Sequence, residues 1–151
     1  MLFRSDGGSK EAATPEFDPE STWVLHIDGA SNAQGSGAGF LLTNSEGVVT
    51  EYALRFNFKT SNNQAEYEAL LAGLRVVKEL RIDSLKVFSD SQLIVGQVKG
   101  EFEARDPTMA KYLQKMRDLV AHLEYFKISH IVRSKNARAD ALSRLDRKSV
   151  V

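Results

Sequence analysis

The stretch SLKVFSD, residues 84–90, is short, apolar and β-branched or aromatic in its middle, and it ends on an aspartate before SQLIVGQVKG. It reads as a strand leading into a short helix that stops at Gly100. The segment before it, TSNNQAEYEALLAG (60–73) and on to about Leu80, has polar capping residues and then helix formers. Either Ser61 with Gln64 or Asn63 with Glu66 fits a capping box. Before that helix, TWVLHIDG (22–29) is apolar on both faces until its last residues, as a central strand is. Strand, helix, strand in this order places the first and fourth strands parallel and adjacent, because a crossover of this kind returns to the same sheet. That decides a mixed sheet.

The rest follows outward. GAGFLLTN (37–44) and GVVTEYALRFNF (47–58), separated by SEG, read as two strands of a hairpin. DPTMAKYLQKMRDLVAHL (106–123) carries Pro107 near a helix start and apolar residues at 109, 112, 113, 116, 119, 120 and 123. EYFKISHIV (124–132) is a fifth strand and NARADALSRL (136–145) a last short helix. Residues 1–21 lack periodicity and are expected to be a disordered leader or linker, with the domain over 22–146 and a frayed tail over 147–151. There is no internal repeat.

Composition narrows the chemistry. The 151 residues include no cysteine, which excludes disulfides and thiolate metal sites and leaves oxygen and imidazole as ligands. No apolar run is long enough for a membrane span and there is no signal-like segment, so a soluble intracellular chain of unspecified compartment is expected, as a monomer. The formal net charge is zero. Residues 1–110 hold 10 Lys/Arg against 16 Asp/Glu, and residues 111–151 hold 10 against 4. A polyanion would therefore meet the C-terminal quarter, unless its lysines only solvate helix faces.

One residue on the second-quoted helix is out of place. At 100° per residue Glu66 lies within about 40° of Leu70, Gly73, Val77 and Leu80, the apolar stripe. Read in the helix's first turn and facing inward, it can point at the sheet edge where Asp28 ends strand one and Asp90 ends strand four. Asp140, near the start of the last helix, could close the set. Singly, each is an ordinary turn or cap residue. Jointly they are costly: two carboxylates about 4 Å apart repel by roughly 4 kcal/mol at an effective dielectric of 20. A shared proton or a divalent cation offsets this, and with oxygen ligands Mg²⁺ is the natural ion, Mn²⁺ next. Two such ions suit in-line displacement at phosphate, which points to phosphodiester hydrolysis.

HIDGASN, TSNNQAEYEALLAGL, FSDSQLIVGQV and NARADALS, in this order, resemble the ribonuclease H type 1 family over about residues 22–146. The run GEFEARDPTMAKYL is similar to the ribonuclease H domains of plant gypsy-type retrotransposons and their stand-alone plant relatives. The resemblance implies an α/β ribonuclease H-like fold, a five-stranded mixed sheet of order 3-2-1-4-5 flanked by helices. It implies Asp28, Glu66, Asp90 and Asp140 as metal ligands and cleavage of the RNA strand of an RNA/DNA hybrid, leaving 5′-phosphate and 3′-hydroxyl ends. It also implies substrate contacts from Gly29, Ala30, Asn32, Asn62, Asn63, Gln64, Ser91 and Asn136.

Two departures from the bacterial pattern stand out. His130 is ten residues before Asp140 but is read as part of strand five, so Arg133 is preferred as the auxiliary catalytic residue. Between Ser91 and Ala110, Lys99 and Arg105 face Glu101, Glu103 and Asp106, so a basic handle is missing. Lys111, Lys115, Arg138 and Arg144, or a reverse transcriptase partner, could compensate, and hybrid affinity is expected to fall with salt. Two rivals remain: a weak or inactive domain of this fold that binds hybrid or packs on a reverse transcriptase, and a DNA-cutting relative, which NNQ disfavours.

Overall fold

The computed structural model describes residues 21–32, 35–56 and 61–132, with backbone alone for 28–32 and 35–36. Its elements are β1 (Trp23–Asn32), β2 (Gly35–Thr43), β3 (Val49–Phe56), α1 (Asn62–Glu79), β4 (Ser84–Ser89), α2 (Gln92–Lys99), α3 (Pro107–Val120) and β5 (Tyr125–His130). The leader expected over 1–21, apart from Ser21, the last helix and the tail lie outside the described residues.

The five strands form one sheet of order β3-β2-β1-β4-β5, the order that the resemblance implies. β1 pairs antiparallel with β2 and parallel with β4, and β4 pairs parallel with β5. Between β2 and β3 the chain turns on Asn44, whose Oδ1 accepts the N–H groups of Glu46 and Val48, both at 2.9 Å. Gly47 follows at φ 90°, a left-handed conformation that a side chain would strain.

One strand end differs from expectation. β1 does not stop at Asp28 but continues to Asn32, because its antiparallel partner runs on to the Asn32–Gly35 pair after the parallel partner β4 has ended at Ser89. Asp28 therefore marks the end of the parallel pairing, not of the strand.

Alternation in the strands sends Leu25, Ile27, Leu85, Val87 and Ile128 to one face, where all are 3% exposed or less. α1 lies across this face and buries Leu70, Leu71, Leu74 and Val77. Each fully buried Leu contributes roughly 1.5–3 kcal/mol. The helix can come this close because of Gly73, whose missing Cβ would sit 2.8 Å from Leu25 Cδ2. Leu80, counted on the stripe, is instead the C-cap and 52% exposed. α3 starts at Pro107 behind its N-cap Asp106 and adds Met109, Leu113 and Met116 to the core. It ends at Val120, so Leu123 lies beyond it, although packed against the core. No helix among the described residues is long and apolar enough to cross a membrane.

Two tyrosines tie the helices together. The Tyr67 hydroxyl donates to Gln97 Oε1 of α2 at 2.6 Å, and the Tyr112 hydroxyl donates to Glu68 Oε2 at 2.7 Å. Their rings stack at 5.4 Å. Burial pushes the Tyr67 phenol up from 10.0 to about 12, against the pull of the Arg117 cation. Burial, then the hydrogen bond and charge of Glu68, raises Tyr112 to about 12 as well. The folded state thus holds protons that the unfolded chain releases near its ordinary value. This stabilisation is complete below the unfolded pKa and is lost as pH rises through the folded one. Urea midpoints should accordingly fall between about pH 10 and 12, and Tyr67→Phe with Tyr112→Phe should flatten that fall. An unchanged slope in the double variant would assign the alkaline loss to other groups.

Candidate active site

The site is built where β1 and β4 run side by side. Ile27 is opposite Ser89 in the parallel register, so the backbones of Asp28 and Asp90, one residue further on, reach the same edge of the sheet. From the helix layer α1 supplies Glu66, which is 3% exposed.

The start of α1 sets that placement. Ser61 is the N-cap, with its Oγ accepting the Gln64 N–H at 3.1 Å and its N–H donating to Gln64 Oε1 at 3.0 Å. Of the two capping boxes that the sequence offers, this is the one formed. Asn63 lies inside the helix, and Glu66 is in the second turn, not the first. With the cap two residues earlier than Asn63, the Glu66 carboxylate takes no part in capping.

There the Ser89 hydroxyl donates to Glu66 Oε2. Ser89 is 0% exposed and its Oγ accepts the backbone N–H of Ser91 at 3.1 Å. Ser91 in turn caps α2, its Oγ accepting the Ile94 N–H at 3.3 Å. Three consecutive residues thus have three tasks: Ser89 grips Glu66, Asp90 stands at the strand end, and Ser91 opens the next helix. Asp90 is half-buried beside that helix N-terminus, whose dipole favours a negative charge.

Glu66 and Asp90 are brought onto one hydrogen-bonded segment. Asp28, Gly29, Ala30 and Asn32 are described in backbone only, all within β1. Asn62 and Asn63 are the first two residues of α1, the first exposed and the second half-buried. Gln64 commits its carbonyl oxygen to the cap. Arg133, Asn136 and Asp140 lie outside the described residues. His130 closes β5 as read, exposed and in register with Ser89. Among the described residues, no group of three or more carboxylate or imidazole side chains gathers for a metal.

On the opposite sheet face His26 stacks on Phe88 at 5.1 Å, and burial lowers its pKa from 6.5, so its ring is neutral at neutral pH. In the connection from α2 to α3, Arg105 Nε is 2.9 Å from Glu103 Oε1, which spends the one cation of that connection locally. A groove of about 490 Å³ lies there, between Gln97, Phe102 and Arg117, and none of the candidate residues lines it. Sequence reasoning missed Ser89; its signal was a serine in step with Leu85 and Val87 on the buried side of β4.

The chain matches the family described as reverse transcriptase-like over residues 26–145. It is 31% identical over 141 residues to a ribonuclease HI of Halobacterium salinarum, covering 91% of this chain and 71% of that protein. It spans 34% of the length of mycobacterial relatives that it matches at 27% identity. The crystal structure of ribonuclease H1 from Halobacterium salinarum superposes with a TM-score of 0.76 at 30% identity, covering 81% of this chain and 94% of that one. The compost-derived LC11 ribonuclease H1, crystallised with an RNA/DNA hybrid, has a TM-score of 0.72 at 29% identity, covering 80% and 92%.

Proposed function

Because the chain belongs to the ribonuclease H type 1 family, we propose that it is a ribonuclease H that hydrolyses the RNA strand of RNA/DNA hybrids in a divalent-metal-dependent reaction. One observation carries the assignment of the site: Glu66 is a carboxylate buried on an otherwise apolar helix face, fixed by Ser89 beside Asp90. A buried carboxylate costs several kcal/mol unless charge or hydrogen bonds compensate it. The all-oxygen donor set fits a hard cation, Mg²⁺ first and Mn²⁺ second.

Glu66 and Asp90, with Asp28 and Asp140, are the residues proposed to hold two ions. Bound there, the ions would lower the pKa of an attacking water and offset charge on the leaving oxygen, giving 5′-phosphate and 3′-hydroxyl ends. The chain's own contribution is placement. Asp28 lies in β1, Asp90 directly follows its parallel neighbour β4, and Glu66 comes from the helix above, so sheet and helix are proposed to set their spacing. Asn62, Asn63 and Gln64 at the start of α1, the backbone of Gly29 and Ala30, and Asn32, Ser91 and Asn136 are proposed to contact the hybrid. Reading the 2′-hydroxyl is what separates RNA from DNA. Arg133 is proposed to assist from beyond β5. The likeness to an enzyme crystallised with a hybrid supports this substrate. The reverse transcriptase-like description supports a reverse transcriptase as a protein partner.

The test is cleavage of an end-labelled RNA strand, in a hybrid and as an all-DNA duplex of the same sequence, with Mg²⁺ or Mn²⁺. Cuts confined to RNA in the hybrid are expected. Binding without turnover in either metal would overturn the assignment, and equal cutting of the DNA duplex would redirect it to a DNA nuclease.

A further inference from the structure

We propose that Ser89 is a positioning residue whose hydroxyl sets the direction of the Glu66 carboxylate relative to Asp90. This rests on the reading of Glu66 as a metal ligand.

A glutamate has three side-chain torsions, and burial alone does not choose among them. Ser89 does. A hydroxyl has a single proton to donate, and here one side of Oγ is occupied by the Ser91 N–H at 3.1 Å while the donated bond goes to Glu66 Oε2. The serine itself cannot drift. It pairs in β4 with Ile27 of β1, and its carbonyl accepts the Ile131 N–H at 2.9 Å. The order N–H, hydroxyl, carboxylate is directional, and each bond polarises the next. Asp90 lies between the two residues that build this chain. One carboxylate is therefore covalently part of the segment that grips the other, and the strand end fixes the gap between them.

A merely structural serine would satisfy a buried carboxylate and nothing more. Its loss would lower stability and leave the ion affinity of the folded protein unchanged. A positioning serine predicts a loss of affinity, since removing a group that orients a metal ligand typically costs about 10–100-fold.

The experiment titrates Mn²⁺ alone into the full chain by calorimetry, with circular dichroism to establish folding, for wild type, Ser89→Ala, Ser89→Cys, Ser89→Thr and Glu66→Gln. Ser89→Ala and Ser89→Cys should bind about tenfold more weakly, and Ser89→Thr, which keeps the hydroxyl in a strand that tolerates β-branching, within about twofold. kcat on a hybrid should fall in step while KM holds. If Ser89→Ala does not fold, the near-isosteric Ser89→Cys carries the comparison. Wild-type affinity in Ser89→Ala or Ser89→Cys, with affinity lost in Glu66→Gln, overturns the positioning role alone. Wild-type affinity in Glu66→Gln overturns the ligand reading itself, and the proposal with it.

Discussion

Asp90→Asn is expected to lower hybrid cleavage on the order of 10³-fold or more while the protein stays folded. The substitution keeps the side chain's shape and removes its charge. Ser89 still pairs in β4 and Ser91 still caps α2, so neither the strand nor the helix loses a partner. The charge matters because metal assistance at phosphate supplies several kcal/mol of stabilisation as charge develops. Each 1.4 kcal/mol or so is tenfold in rate, so losing about 4 kcal/mol gives the expected factor. Measured on an end-labelled hybrid with thermal unfolding in parallel, a variant within tenfold of wild type would remove Asp90 from the proposed site.

The adjacency of the first and fourth strands was readable because one step decides it. A strand, a helix and a second strand of the right lengths have nearly one right-handed solution, and the apolar character of 23–27 makes β1 central. Periodicity also exposed Glu66, since a carboxylate on an apolar stripe violates a simple rule. What it could not resolve was the cap. Ser61–Gln64 and Asn63–Glu66 have the same spacing, and only the extended backbone of Ser61, at φ −74° and ψ 168°, selects the first. The end of β1 was misplaced for a related reason: pairing with β2 continues through Asp28, and pairing depends on a partner distant in sequence. Ser89 was passed over because a serine at the end of a strand does not name its partner. Its importance lies in a contact 23 residues back along the chain, with Glu66.

Chelation with EDTA is expected to abolish cleavage and, less obviously, to reverse the stability order of wild type and Glu66→Gln. Without ions, the carboxylates proposed for the site repel one another, and Glu66 stands at 3% exposure. Glutamine keeps the size and can still accept the Ser89 hydroxyl bond. In EDTA, then, the variant should melt above wild type. With saturating Mg²⁺ the wild type gains RT ln(1 + [L]/Kd), about 2.7 kcal/mol at a hundred times Kd. A gain of that size raises Tm by roughly 5 °C or more for a domain of this length. Glu66→Gln lacks the ligand, so it should gain little and fall below. Crossing of the two melting curves as Mg²⁺ rises is a signature that a purely structural Glu66 cannot produce, because a structural carboxylate would shift both conditions equally. Parallel curves would leave Glu66 as a buried charge serving the fold, and the activity would have to be assembled from other groups.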